Sequence, residues 1–147
     1  MYRWVDHTAE LELQLEARTE EEVFREGLAA LGELLGERTD ADARDPARHE
    51  VHASAPDPAT LLAEWLSELA YLAETQGFVP ERVDSLSIDS SSLRTPRDLL
   101  ANRAFDLEAS VSGRRADPPH LIKAVTYHRL EMRESGDGWR ARVVLDV

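Results

Sequence analysis

Two acidic positions at opposite ends of the chain carry its clearest chemistry: Glu10, which closes the run Asp6-His7-Thr8-Ala9-Glu10, and Asp146, which precedes the terminal Val147. A strand ending at Val147 sets an aspartate carboxylate beside a backbone carbonyl and the free terminal carboxylate, an oxygen cluster of the kind hard cations favour. Asp146 reads equally as a solvated strand end and Glu10 as an outward, solvated glutamate, so a shared site requires the first strand to lie beside the last. Lys123 is the one lysine beside sixteen arginines. It suits a phosphate or a partner's carboxylate, or it is an ordinary surface lysine.

The histidines add less. His7 beside Asp6 is a His-Asp pair without a serine or cysteine nucleophile in a recognisable turn. His49 and His52 fall on opposite faces of a strand, and His120 has no neighbouring carboxylate motif, so none forms a metal pair by spacing. His128 is expected on a core face, where a satisfied buried imidazole is the plainer reading.

These groups have to be held by strands. Glu10 to Glu16 alternates, with Leu11, Leu13 and Leu15 on one face and Glu10, Glu12 and Gln14 on the other. Thr19-Glu20-Glu21-Glu22 has capping-box spacing, and Val23, Phe24, Leu28, Leu31, Leu34 and Leu35 recur at helical intervals up to Gly36. Asp57-Pro58 predicts a second helix start, whose apolar stripe runs from Leu61 to Leu72 and which Gly77 closes. Strands are expected over Arg48 to Ala55, Val83 to Asp89 and Ala104 to Gly113, while Leu93 to Leu100, within the unsettled stretch 90–103, reads as loop or short helical turn.

A hairpin closes the chain around Gly136-Asp137-Gly138. With Gly136-Asp137 as a two-residue turn, Ser135 pairs with Gly138, and an unbroken ladder puts Tyr127 opposite Asp146. Leu130, Met132, Ala141, Val143 and Leu145 then face the core, and Lys123, Tyr127, Arg129, Glu131, Arg142, Val144 and Asp146 face away. Lys123 falls four residues beyond Tyr127, ~13 Å from Asp146 at ~3.3 Å per residue, which implies two subsites. The whole reads as one α+β domain spanning residues 1–147, with two amphipathic helices packed on a largely antiparallel sheet whose other face is free for binding.

Composition narrows the function classes. The 147 residues are 42% hydrophobic and 31% charged, a globular balance, with no apolar run near the ~20 residues of a membrane span. No basic and apolar leader precedes the first strand, so the expected compartment is the cytoplasm. The absence of cysteine excludes thiolate sites and leaves oxygen or imidazole as metal ligands. A net charge of -12 argues against generic nucleic-acid binding; any RNA would be contacted mainly through a partner.

Asp6-His7-Thr8-Ala9-Glu10, the helix opening at Thr19 to Phe24, Lys123-Ala124-Val125-Thr126-Tyr127-His128 and the ending Val144-Leu145-Asp146-Val147 occur together in one order. The combination resembles the archease family over nearly the whole chain. That resemblance implies a cofactor protein, not itself an enzyme, for an RtcB-type RNA ligase in tRNA splicing and RNA repair. Such a protein promotes guanylylation of the ligase by GTP, which the ligase uses, and allows multiple turnover. It further implies a metal site at Glu10, Asp146 and Val147, with calcium the first expectation and magnesium or manganese the alternatives, and a role in ligase activation for Lys123. Asp6, His7 and Tyr127 stand as supporting residues. Glu10 replaces the family's usual aspartate, one methylene longer and still an oxygen ligand. Two other classes stay open beside this one: an independent metal-dependent phosphoester hydrolase, using His7 or Tyr127 near a metal-bound water, and a chaperone-like adaptor without essential metal.

Overall fold

The structure is a computed structural model that describes residues 1–36, 45–89, 105–116 and 122–147. The stretch expected as loop or helical turn, Leu93 to Leu100, and His120 lie outside the described residues. Nine elements follow one another: β1 (Tyr2–His7), β2 (Glu10–Ala17), α1 (Glu20–Gly36), β3 (Pro46–Ala55), α2 (Pro58–Gln76), β4 (Phe78–Asp89), β5 (Phe105–Arg115), β6 (Ala124–Ser135) and β7 (Gly138–Asp146). The strands form two sheets, β1-β2-β7-β6 and β3-β5-β4, with every pairing antiparallel. The expected α+β fold of two helices on antiparallel strands is present, with the strands divided between two sheets.

The helices form where their ends are capped and one broad face is apolar. The Thr19 hydroxyl accepts from the Glu22 amide at 3.2 Å, and the Glu22 carboxylate accepts from the Arg18 amide at 3.1 Å, so the capping exchange reaches one residue further back than the usual box. Asp57 accepts from the Thr60 amide at 2.8 Å, Pro58 takes the first turn, and Gly77 ends α2 in the left-handed region at φ 57°. Both helices touch both sheets. One apolar cluster therefore joins Leu13, Leu15, Val143 and Leu145 of the first sheet, Phe24, Leu28, Leu62, Trp65 and Leu66 of the helices, and Val51, Leu107 and Val111 of the second. The Trp65 indole, fully buried, donates to the Phe24 carbonyl at 2.9 Å and so ties the two helices together.

The hairpin of β6 and β7 departs from the unbroken ladder. Ser135 pairs with Gly138 and Glu131 with Arg142, as the two-residue turn predicts, but beyond them Tyr127, His128, Arg129 and Leu130 leave the ladder and pairing resumes with Thr126 opposite Val144 and Ala124 opposite Asp146. Tyr127 is therefore not across from Asp146. Neither is Lys123 remote from it, since the Lys123 amide donates to the Asp146 carbonyl at 2.8 Å. The expected spacing of ~13 Å assumed a continuous strand. His128, expected on the core face, is exposed because it sits in this excursion.

Candidate functional site at the joined ends of β2 and β7

The adjacency that the sequence could not supply comes from β2 and β7 pairing at the centre of the first sheet. Leu13 and Leu15 of β2 are buried in the core and oppose Val143 and Ala141 of β7, so burial of these pairs fixes the register, with the half-buried Leu11 opposite Leu145. That register makes Glu10 and Asp146 direct partners. Directly opposed residues share a face and carry Cβ atoms about 4.5–5.5 Å apart. One row across the sheet thus reads His7, Glu10, Asp146, Ala124. Asp6 falls in the neighbouring row opposite Leu11, on the other face. His7 and not Asp6 accompanies the two carboxylates.

The turn Thr8-Ala9 completes this end. Ala9 adopts φ 60°, a left-handed conformation that costs an alanine ~1–2 kcal/mol. Its carbonyl accepts from the Val147 amide at 3.4 Å, while the Val147 side chain packs on the core. Lys123, Asp146, Val147 and Ala9 are therefore linked through the main chain.

Glu10 and Asp146 are both half-buried, and among the described residues no cationic side chain lies within ion-pair distance of either. Like charges set directly opposite each other repel. A cation would relieve that repulsion, and the donor set, all oxygen, suits a hard one. Among the described residues no three acidic or histidine side chains gather as a metal group, so two side-chain carboxylates need a further oxygen, which the main chain at Val147 can supply. The residues fit a divalent cation on those terms.

Two residues along from Glu10, the same face holds a buried acid that alternation alone did not single out. Glu12 is 5% exposed. It accepts from the Gln14 side-chain Nε2 at 2.7 Å, and its other oxygen lies 2.8 Å from the Arg129 guanidinium and 3.4 Å from His7 Nε2. The Gln14 hydrogen bond first, then Arg129, His7 and Arg142, hold its carboxyl below the usual range, against burial, which pushes it up. Tyr127 turns instead to α2, where its hydroxyl donates to Glu64 at 2.5 Å; that bond to a carboxylate raises the phenol's pKa. It stands apart from the Glu10-Asp146 row. The sequence did hold a signal for the excursion: Val125 and Leu130 have opposite parity yet both pack on the core, which no regular strand allows.

This end of the sheet offers two opposed carboxylates that could hold a cation, with Lys123 tied to Asp146 through its backbone amide and His7 as a polar neighbour in the same row. Among the described residues it gathers no serine with a base.

Comparison with known proteins agrees with the fold and names the family. A model of the Archease protein family (MTH1598/TM1083) matches residues 2–147. The archease of Methanosarcina barkeri is 35% identical, over 99% of this chain and 95% of its own length, and the archease of Pyrobaculum islandicum is 28% identical over the same shares. The solution structure of Methanobacterium thermoautotrophicum protein 1598 superposes with a TM-score of 0.67 at 25% identity, covering 99% of this chain and 98% of that one. The crystal structure of an archease, possible chaperone, from Thermotoga maritima has the same fold, with a TM-score of 0.61 at 20% identity over 100% and 98% of the two chains. With a family match along the whole chain and the two terminal motifs joined in one sheet, this chain belongs to the archease family.

Proposed function

We propose that this protein activates an RtcB-type RNA ligase in tRNA splicing and RNA repair, promoting GTP-dependent guanylylation of the ligase and its multiple turnover, and that it is a cofactor protein and not itself an enzyme. The observation that carries the reading is the directly opposed couple Glu10 and Asp146, without a cationic partner among the described residues, beside Val147 and Lys123. Glu10, Asp146 and the Val147 carboxylate would hold a divalent cation, calcium in first place. When bound, the cation supplies positive charge that neutralises and aligns triphosphate oxygens.

The chain's own residues do the rest. Lys123 brings a mobile ammonium to the same end of the sheet, suited to charge that develops during phosphoryl transfer. Val147, anchored on the core and on the Ala9 carbonyl, fixes the direction in which the terminus leaves the sheet. RNA is contacted mainly through the ligase, in keeping with the net charge of -12. No described helix is long and apolar enough to cross a membrane, and the work is assigned to the cytoplasm, with the ligase.

The test is RNA joining by a purified ligase with GTP, with and without this protein. Folded Lys123→Ala and Asp146→Ala variants are expected to lose most of the activation. Full activation by both would sink the assignment and leave a metal-independent adaptor. Cleavage of model phosphoesters by the protein alone, abolished by Asp146→Ala, would replace it with a hydrolase.

A further inference from the structure

The β6–β7 hairpin holds two registers in one pair of strands. From the turn to the Glu131-Arg142 pair the ladder is straight; past the excursion it is shifted by three residues, so that Ala124 takes the place beside Asp146 that a straight ladder gives to Tyr127. An odd shift exchanges faces. Val125 turns inward opposite Leu145 and packs on the core, and Thr126 turns outward with its hydroxyl donating to the Val144 carbonyl at 3.1 Å. Burial of Val125 explains the parity, yet a single inserted residue would satisfy it as well. Something further keeps four residues out of the ladder.

Arg129 sits in the middle of those four at φ 55°, a conformation unfavourable for an arginine. Its carbonyl accepts from Arg142 Nε at 2.9 Å, and its guanidinium reaches Glu12 at 2.8 Å. Since β7 lies between β6 and β2, that side chain must span β7. Val144, the β7 partner of Glu12, is 0% exposed although it points away from the core. A buried carboxylate and a buried valine on an otherwise solvated sheet face are what a side chain laid across the strand would produce.

We infer that Arg129 is a positioning residue: clamped on Glu12 across β7, it holds the excursion and selects the register in which Lys123 adjoins Asp146. The claim that the clamp serves the site rests on the function proposed for that end of the sheet.

Amide hydrogen exchange of Lys123 in the full chain, referenced to Leu145 in the same molecule, reads the register without metal. Arg129→Gly relieves the backbone conformation while removing the guanidinium, and is expected to speed Lys123 exchange at least about tenfold relative to Leu145, the loss of one charged contact. Glu12→Gln does the same, and Arg129→Lys restores most of the protection. Calcium affinity measured by calorimetry falls by at least about tenfold in Arg129→Gly and recovers in Arg129→Lys. Unchanged Lys123 exchange in both Arg129→Gly and Glu12→Gln overturns the clamp. Faster exchange with calcium affinity intact overturns its service to the site. If the native protein takes up no calcium, the metal reading fails by itself, and Lys123 exchange still decides the clamp.

Discussion

Replacing Glu12 by glutamine removes a charge and almost nothing else. The amide keeps an oxygen for the Gln14 hydrogen bond, now 2.7 Å, but offers no charge to Arg129 at 2.8 Å. Breaking a fully buried ion pair costs ~3–5 kcal/mol, and losing an exposed one ~0–1 kcal/mol. Here the carboxylate is 6% exposed and the guanidinium 41%, so the arginine regains water when its partner goes and the loss lies between those limits, at about 1–3 kcal/mol. For a chain of this length 2 kcal/mol corresponds to a fall of about 4–8 °C in Tm. The pH dependence gives the sign. Because the folded carboxyl titrates below its usual value near 4.5, the charge contributes stability that is fully present above the unfolded pKa and is lost as pH falls through the folded one. Urea titrations of both proteins should therefore differ fully at pH 7 and converge under strongly acid conditions. A difference below about 0.5 kcal/mol at pH 7, or one that does not shrink in acid, refutes the reasoning.

Three further substitutions probe the frame around the site. Gly113→Ala would place a Cβ 1.9 Å from the Val79 carbonyl oxygen, so β4 and β5 must separate locally and the urea midpoint should fall by the equivalent of ~1–3 kcal/mol. Asp57→Ala removes the cap of α2 and should cost ~1 kcal/mol in the same titration. Ala9→Gly should raise stability by ~0.5–1 kcal/mol, because glycine accepts φ 60° without the alanine penalty; a loss would show that the turn is held by something other than its backbone.

What was legible in the sequence followed from local periodicity. Leu61 to Leu72 and Val23 to Leu35 repeat at helical spacing, and Asp57-Pro58 and Gly77 mark one helix's ends, so both helices are where the residues predict. The strands were legible as strands, but their division into two sheets depends on which distant partner each one meets. No local pattern encodes that β5 sits between β3 and β4. The site shows the same split. Glu10 and Asp146 were each visible as outward carboxylates at strand ends, and only the β2–β7 register makes them neighbours. A continuous ladder places Lys123 and Tyr127 wrongly relative to Asp146, because the left-handed conformation at Arg129 interrupts it. Alternation puts Glu12 on the outer face, where it lies, but carries no sign of its burial, because the side chain that covers it comes from a strand two places away.

In the proposed function the ends of β2 and β7 form one cation site with the terminus. Calorimetric titration of the protein with calcium tests that most directly, comparing the native chain, Asp146→Asn and a chain extended by a rigid segment after Val147. The account predicts one site per native chain, weakened at least about tenfold by either change, since each removes or blocks one charged oxygen ligand. Equal stoichiometry and affinity in all three would contradict it.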